Sequence, residues 1–287
     1  MATTRPRFGA RLLSAMDAHG PLCVGVDPHP ELLAAWDLPD SPGGLSAFCA
    51  ALVEAVGGRV AAVKPQSAFF ERHGSAGIAV LERLLLDLRE AGTLSLLDVK
   101  RGDVGSTMGA YAQAYLADGA PLAADAITVT PYLGTGALAP ALDTAAETGR
   151  GVFVLVLTSN PEAAAVQHAG AGQAGAPSVA GSVLQDVARL NAGAGPVGDV
   201  GMVVGATVGR APEQLGLDLA GANGIVLAPG VGAQGATPQD VATTFAGLPR
   251  RVLVPVSRGI LSAGPAPERL RDAAARLNSE LVAQLWT

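Results

Sequence analysis

Lysine is nearly absent from this chain. Of its 19 lysine and arginine residues, only Lys64 and Lys100 are lysines, and each ends an apolar run typical of a buried β-strand. Arginine keeps its proton in proteins, whereas a buried lysine shifts its pKa readily and can act as an acid or a base. A compositional bias toward arginine does not explain why lysine is retained at two strand ends. We therefore expect chemistry at these positions, the alternative being two ordinary, partly exposed lysines.

Other scarcities exclude whole classes of protein. Charged residues make up 15% of the 287 residues against 49% hydrophobic ones, which is typical of a compact domain and not of a disordered chain. The net charge of −6 and the pI of about 5.2 argue against a nucleic-acid partner or an anionic membrane. No apolar run approaches the ~20 residues of a membrane span, and residues 1–7 do not lead into the apolar core of a signal peptide.

Cysteine is almost as rare as lysine. Cys23 and Cys49 are the only two, and neither belongs to a Cys-x-x-Cys pair or a cysteine–histidine cluster of the kind that binds zinc. We expect a cytoplasmic protein with both thiols reduced. We also expect it to use no metal and no cofactor.

Apolar runs recur along the chain at regular spacing. They are continuous rather than alternating, which is typical of parallel strands covered on both faces, and they lie at 22–27, 60–64, 94–100, 126–130, 152–157, 201–206, 224–228 and 251–256. Helical patterns separate them, with leucines on one face between 78 and 88 and again between 270 and 285, and with Gly92 placed to cap the first of these helices. The order predicts a TIM (β/α)8 barrel that spans 1–287 as a single catalytic domain; a doubly wound open sheet is the alternative.

Asp98 and Lys100 stand two residues apart at the end of the third run. Residues with that spacing share one face of a regular strand, so a carboxylate and an ammonium are expected in one pocket. The alternative is a surface ion pair, although the neighbouring leucines make a solvated strand a poor fit. Asp103 follows Gly102, past the end of the strand. A helix N-cap is the purely structural alternative to a role for Asp103 in the pocket.

Further polar residues end other strands of the predicted barrel. Barrel enzymes carry their active site at the carboxyl ends of the strands, where this sequence places Asp27, Lys64, Asp98, Lys100, Thr158, Ser159, Ser257 and Arg258. After the fifth strand, the Ala- and Gly-rich segment 160–177 is longer than most strand-to-helix loops. We interpret it as a mobile lid, with a surface insertion as the alternative.

A glycine-rich segment follows the seventh strand. Residues 229–235 satisfy the G-x-G-x-x-G pattern, but no acidic residue stands at the distance a dinucleotide site requires. Barrels commonly hold phosphate in the loops after strands seven and eight, and Arg258-Gly259 supplies a forked cation after strand eight. The position therefore predicts a phosphate site, against the alternative of a tight loop beside a surface charge.

Together these segments resemble the orotidine 5′-phosphate decarboxylase family. Asp98-x-Lys100-x-x-Asp103 carries the resemblance, with Lys64 before it and segments 229–235 and 257–259 after it, so that it covers essentially the whole chain. Residues 63–71 and the long fifth loop are similar to the second, mycobacterial-type subgroup. The resemblance implies an enzyme that converts orotidine 5′-phosphate to uridine 5′-phosphate and carbon dioxide, the last step of pyrimidine nucleotide synthesis, without a metal or organic cofactor.

The resemblance also implies a role for each matching residue. Lys100 resembles the proton donor to the pyrimidine carbon that loses carbon dioxide, and Asp98 resembles the carboxylate beside it. Asp103 and Thr107 resemble residues that cross the interface of a homodimer with shared active sites, where Asp103 hydrogen-bonds Lys100. The catalytic residues are then Lys64, Asp98, Lys100 and Asp103, and the substrate contacts are Asp27 and Lys64 for ribose, Ser159 for the pyrimidine amide, and Gln234, Gly235, Arg258 and Gly259 for phosphate.

Two alternatives stay open. A sugar-phosphate decarboxylase or synthase of the same superfamily shares the Asp-x-Lys-x-x-Asp strand but generally needs magnesium. A noncatalytic nucleotide-binding barrel is the alternative from a different class, and the intact Asp98 and Lys100 argue against it.

Overall fold

A closed barrel of eight parallel strands forms the centre of the protein. The computed structural model describes residues 5–172 and 176–286, and in it each strand pairs with the next while the last pairs with the first. The strands are β1 (Leu22–Val26), β2 (Ala62–Pro65), β3 (Leu94–Arg101), β4 (Ala126–Val129), β5 (Gly151–Leu157), β6 (Val200–Val204), β7 (Val226–Leu227) and β8 (Val252–Val256). This architecture confirms the TIM-barrel prediction, and the open doubly wound sheet was wrong.

Helices surround the barrel and connect its strands. They are α1 (Phe8–His19), α2 (Pro30–Ala35), α3 (Pro42–Val56), α4 (Ala68–Glu71), α5 (Gly74–Glu90), α6 (Gly105–Leu116), α7 (Ala139–Thr148), α8 (Ala164–Gln167), α9 (Val179–Leu190), α10 (Ala211–Gln214), α11 (Pro238–Thr244), α12 (Arg258–Leu261) and α13 (Pro267–Leu285). Short 3-10 turns occur at Thr135–Leu138 and Pro161–Ala163. Among the described residues, no helix is both long and apolar enough to cross a membrane.

The apolar patterns of the sequence explain both kinds of element. Every residue of β1 and of β8 is buried, because the barrel interior covers one face of each strand and the helices cover the other. In α5 the leucines at 81, 84, 85 and 88 are buried at helical spacing. Gly92 follows that helix with φ +70°, a conformation that favours glycine, and thus ends it where the sequence predicts.

Helix α1 closes one end of the barrel. Its Phe8 packs edge-on against Phe153 of β5, with ring centroids 6.0 Å apart. Arg11 pairs with Asp125, just before β4, at 2.6 Å, and the Gly9 N–H donates to Asp199, just before β6. All of these contacts lie where strands begin. The end at which the strands finish is therefore left as the open mouth.

Candidate active site

A cavity of about 510 Å³ occupies the carboxyl ends of the strands. Its size falls within the usual range for small-molecule sites, about 300–1,000 Å³. It brings together most of the site residues expected from the sequence, namely Asp27, Lys64, Asp98, Lys100, Ser159, Gln234 and Arg258. Gly235 lines a neighbouring groove that shares Gln234. Among the residues that the structure describes, the lining of the cavity does not include Asp103, Thr107 or Gly259.

Asp98 is the centre of the polar network in the cavity. Its Oδ2 accepts hydrogen bonds from Lys64 Nζ at 2.9 Å and Gln66 Nε2 at 3.2 Å. Its Oδ1 accepts from Lys100 Nζ at 2.6 Å and Thr128 Oγ1 at 2.8 Å. Four donors therefore satisfy both oxygens of one buried carboxylate, which holds it in a single orientation.

Burial and the two lysines shift the pKa of the Asp98 carboxyl in opposite directions. Burial alone would raise the pKa of the Asp98 carboxyl, but the ammoniums of Lys64 and Lys100 outweigh it and hold that pKa well below its usual range. Burial likewise would lower the pKa of Lys64, yet the carboxylates of Asp98 and Asp27 raise it. The Asp98 carboxylate and the Lys64 ammonium are therefore both ionised at neutral pH.

Lys100 reaches Asp98 through a bulge in β3. The register with β4 runs from Leu97 opposite Ile127 to Arg101 opposite Val129, so three residues of β3 face Thr128 alone. Lys100 has φ +43°, outside the strand region. The expected meeting of Asp98 and Lys100 thus occurs, but regular strand alternation was the wrong reason for it.

Lys64 is buried, whereas the Lys100 side chain is 49% exposed at the mouth, so only one of the two lysines matches the expected burial.

Asp27 lies across the cavity mouth, where β1 ends. Ser257, which follows β8, donates a hydrogen bond from its hydroxyl to Asp27 Oδ2. The other carboxylate oxygen, Oδ1, is buried and has no hydrogen-bond partner among the described residues. A Cβ at Gly25 would lie 2.1 Å from the Ser257 hydroxyl, so only glycine leaves room for this contact.

The glycine-rich segment forms a tight loop beside the cavity. Gly230, Gly232 and Gly235 all have positive φ, at 130°, 76° and 90°. Ser159 Oγ donates to Gln234 Oε1 at 3.0 Å, which ties the end of β5 to this loop. Arg258 is exposed and lines the same cavity. A cation and a glycine-rich loop therefore lie at one side of the mouth, where an anion can bind.

The segment 160–177 borders the cavity in its first half. Gln167 of α8 accepts the Thr158 N–H at 2.8 Å and donates to the Thr158 hydroxyl at 2.9 Å, which folds the segment back onto the end of β5. Asn160 and Gln167 line the cavity. This is the position that a lid requires, and residues 173–175 lie outside the described residues.

Asp103 and Thr107 make no hydrogen bond to the Lys100 side chain within the described part of their own chain. The Asp103 side chain accepts the Val104 N–H at 2.8 Å, and within the described part of the chain it makes no hydrogen bond to Lys100. Helix α6 begins at Gly105 with Val104 as its N-cap and no side-chain cap. The alternative of an N-cap role for Asp103 was therefore wrong. Thr107 is exposed on the first turn of α6.

Sequence reasoning assigned no role to three residues of the network. Gln66 and Thr128 donate to Asp98, and Ser257 donates to Asp27. A signal was present for Gln66 and Ser257, because each is a polar residue directly after a strand, whereas Thr128 lies inside the fourth apolar run. The sequence pattern does not show which residue each of these side chains contacts.

Comparison with known proteins agrees with this geometry. Residues 20–273 match the model of the orotidine 5′-phosphate decarboxylase / HUMPS family. An orotidine 5′-phosphate decarboxylase of Salinispora arenicola is 57% identical over 278 residues, which cover 97% of this chain and 98% of that one. The enzyme of the same name from Streptomyces coelicolor is 54% identical over 274 residues, with 96% of each chain covered.

Solved structures give the same result. A crystal structure from Streptomyces avermitilis described as this decarboxylase superposes with a TM-score of 0.93 at 52% identity, covering 99% of this chain and 97% of that one. The Leishmania donovani decarboxylase has a TM-score of 0.73 at 29% identity, covering 96% and 98%. Since the family model spans most of the barrel and the relatives match nearly end to end, the chain belongs to the orotidine 5′-phosphate decarboxylase / HUMPS family.

Proposed function

We propose that this chain removes carbon dioxide from orotidine 5′-phosphate to form uridine 5′-phosphate. It is a carboxy-lyase of pyrimidine nucleotide synthesis. One observation carries the choice of reaction: a buried aspartate bridges two lysines, one of which is half exposed toward an open cavity. The chain acts as a single catalytic domain, and we place it in the cytoplasm.

Lys100 supplies the chemistry. When the bond to the carboxyl group breaks, its electron pair stays on the pyrimidine carbon and carbon dioxide leaves. The Lys100 ammonium stabilises that developing carbanion and then transfers a proton from Nζ to the carbon. The resulting amine recovers a proton from water. Asp98 holds the ammonium in place, because its Oδ1 lies 2.6 Å from Lys100 Nζ.

The other cavity residues bind the rest of the nucleotide. Asp27 and Lys64, which both line the cavity, contact the ribose. Ser159 contacts the pyrimidine amide. The phosphate is held by Gln234, Gly235, Arg258 and Gly259. Binding energy from the phosphate, far from the reacting carbon, helps to assemble the site around the pyrimidine.

The activity is expected to need no metal. Purified protein dialysed against a chelator should convert orotidine 5′-phosphate at the rate of the untreated protein, measured by the loss of substrate absorbance. The reason is that the Lys100 ammonium supplies the stabilising charge that magnesium would otherwise provide. Loss of turnover that magnesium restores would instead favour the sugar-phosphate branch, and nucleotide binding without turnover would favour a noncatalytic barrel.

The functional unit is proposed to be a homodimer in which each site is shared. Val104, Tyr132 and Leu133 are exposed hydrophobic residues in the loops after β3 and β4, next to Asp103 and Thr107. These two loops are adjacent, because the Thr130 N–H donates to the Arg101 carbonyl at 2.8 Å. An apolar patch of this kind is typical of a contact surface. Docked against a second copy, it brings Asp103 to the partner's cavity, where it hydrogen-bonds the other protomer's lysine at position 100.

Mixing two inactive variants tests the shared site. Lys100→Ala and Asp103→Ala proteins should be inactive alone and should regain activity when their subunits exchange or are co-expressed. In a heterodimer one site receives both changes and the other receives neither, so random pairing leaves about a quarter of all sites intact. Heterodimers isolated with two different tags have one intact site in two, so they should show about half of the wild-type activity per site.

A heterodimer of two other variants supplies the control. Lys64 and Lys100 bind the same carboxylate within one chain, so a Lys64→Ala and Lys100→Ala heterodimer carries one change in each site and should stay inactive. Isolated Asp103→Ala and Lys100→Ala heterodimers with no more activity than the single variants would place Asp103 outside the partner's site.

A further inference from the structure

The Thr128 hydroxyl has all of its hydrogen-bonding capacity in use. It accepts the Val99 N–H at 3.1 Å and the Lys100 N–H at 3.0 Å, and it donates to Asp98 Oδ1 at 2.8 Å. A hydroxyl has two acceptor lone pairs and one proton, so these three bonds account for it completely. Thr128 is 1% exposed, so it is shielded from bulk solvent. Its proton is therefore directed at the carboxylate.

This hydroxyl takes the place of missing backbone partners. In the bulge of β3, three residues face Thr128 alone, so the amides of Val99 and Lys100 find no carbonyl of β4 in register. Buried amides left without acceptors are costly. The threonine oxygen accepts both of them, and it thereby stabilises the conformation in which Lys100 has φ +43°.

The same conformation directs the lysine side chain. Lys100 is half exposed, and the one hydrogen bond of its ammonium within the described residues is the 2.6 Å contact to Asp98 Oδ1. The backbone turn at Lys100 and the orientation of Asp98 together decide where that ammonium lies. Thr128 contacts both.

We propose that Thr128 is a positioning residue for the decarboxylation, which orients Asp98 and sets the backbone of Lys100 so that the ammonium points at the reacting carbon. This role rests on the proposed function of the site. Thr128 is expected to affect where the Lys100 ammonium lies in the transition state, and not how tightly the substrate binds. A misplacement of ~1 Å at a reacting group costs on the order of 100-fold in rate.

Thr128→Val tests the role, because valine keeps the shape of the side chain and removes the hydroxyl. We expect kcat for orotidine 5′-phosphate to fall about 100-fold while KM changes by less than about threefold. Thr128→Ser, which keeps the hydroxyl, should stay within about threefold of the wild type in both constants. The readout is the split between kcat and KM together with the rescue by serine.

Thr93→Val is the matched control. Thr93 is also buried, and its hydroxyl accepts the Gly58 N–H at 2.7 Å, but it lies just before β3 at the opposite end of the barrel. It should lower the thermal unfolding midpoint and leave kcat unchanged. If Thr128→Val does not fold, Thr128→Ala replaces it, since alanine also removes the hydroxyl and is compared with Thr128→Ser in the same way.

The outcomes separate this role from the function itself. Absence of orotidine 5′-phosphate turnover in the wild-type chain would overturn the proposed function and this role with it. An active wild type with an equally active Thr128→Val or Thr128→Ala variant would overturn only the role of Thr128. A serine variant as slow as the hydroxyl-free variant would also overturn it, because the hydroxyl would then not be the group that matters.

Discussion

Lys100→Ala is expected to lower kcat for orotidine 5′-phosphate by about 1,000-fold or more, which corresponds to ~4 kcal/mol of lost transition-state stabilisation. Alanine offers neither a cation beside the developing carbanion nor a proton to quench it. The fold should remain, because the Lys100 side chain is half exposed and supports no packing in the core. Steady-state turnover, with circular dichroism as the check on folding, measures the effect.

Two variants sharpen that result. Lys100→Arg keeps the positive charge but cannot give up a proton, so it should be nearly as slow as Lys100→Ala if proton transfer is the role of the lysine. Arg250→Ala removes another half-exposed cation that pairs with an aspartate, at 3.1 Å from Asp17, and should leave kcat unchanged. Retention of more than about a tenth of wild-type turnover by Lys100→Ala would contradict the assigned role.

Asp98→Asn is expected to damage stability as well as activity. The change removes the carboxylate that the buried ammonium of Lys64 contacts directly, since Lys64 Nζ lies 2.9 Å from Asp98 Oδ2 and both side chains are 9% exposed. Breaking one partner of a buried pair costs about 3–5 kcal/mol. Urea unfolding at neutral pH should show a loss of that order, and turnover should fall because Lys100 loses the carboxylate that holds it.

The pH dependence of that stability difference has a definite sign. The folded-state pKa of Asp98 lies below its unfolded value, held there against burial by the two lysines. The carboxylate therefore contributes its full stability above the unfolded pKa of about 3.9, and the contribution is lost as the pH falls toward the folded pKa. The gap in unfolding free energy between wild type and Asp98→Asn should stay constant from neutral pH to about 5 and narrow below about 4.

Asp17→Asn is the control for this measurement. Asp17 pairs with Arg250 at 3.1 Å, both side chains are about half exposed, and exposed pairs contribute roughly 0–1 kcal/mol. An equal loss of unfolding free energy in both variants would mean that burial of the Asp98–Lys64 pair contributes nothing to stability.

The architecture was predictable from the sequence alone. Eight continuous apolar runs alternate with amphipathic helices, which is the pattern of parallel strands buried on both faces. The runs and the strands differ by one or two residues at several ends, most clearly at β7, which spans only Val226–Leu227 within the predicted run 224–228. The convergence of Asp27, Lys64, Asp98 and Lys100 on one cavity followed as well, since strands of a barrel all end at the same mouth.

The partners within the site were decided by the tertiary structure. Thr128 meets Asp98 across 30 residues of sequence, and Ser257 meets Asp27 across 230, so no local pattern links either pair. The register of β3 against β4 shifts at a bulge, which places Thr128 opposite the catalytic stretch and turns Lys100 to φ +43°. A strand's own sequence specifies which residues are buried, because burial follows local periodicity. It does not specify which neighbour each polar atom faces, because that depends on the register between strands and on the loops that join them.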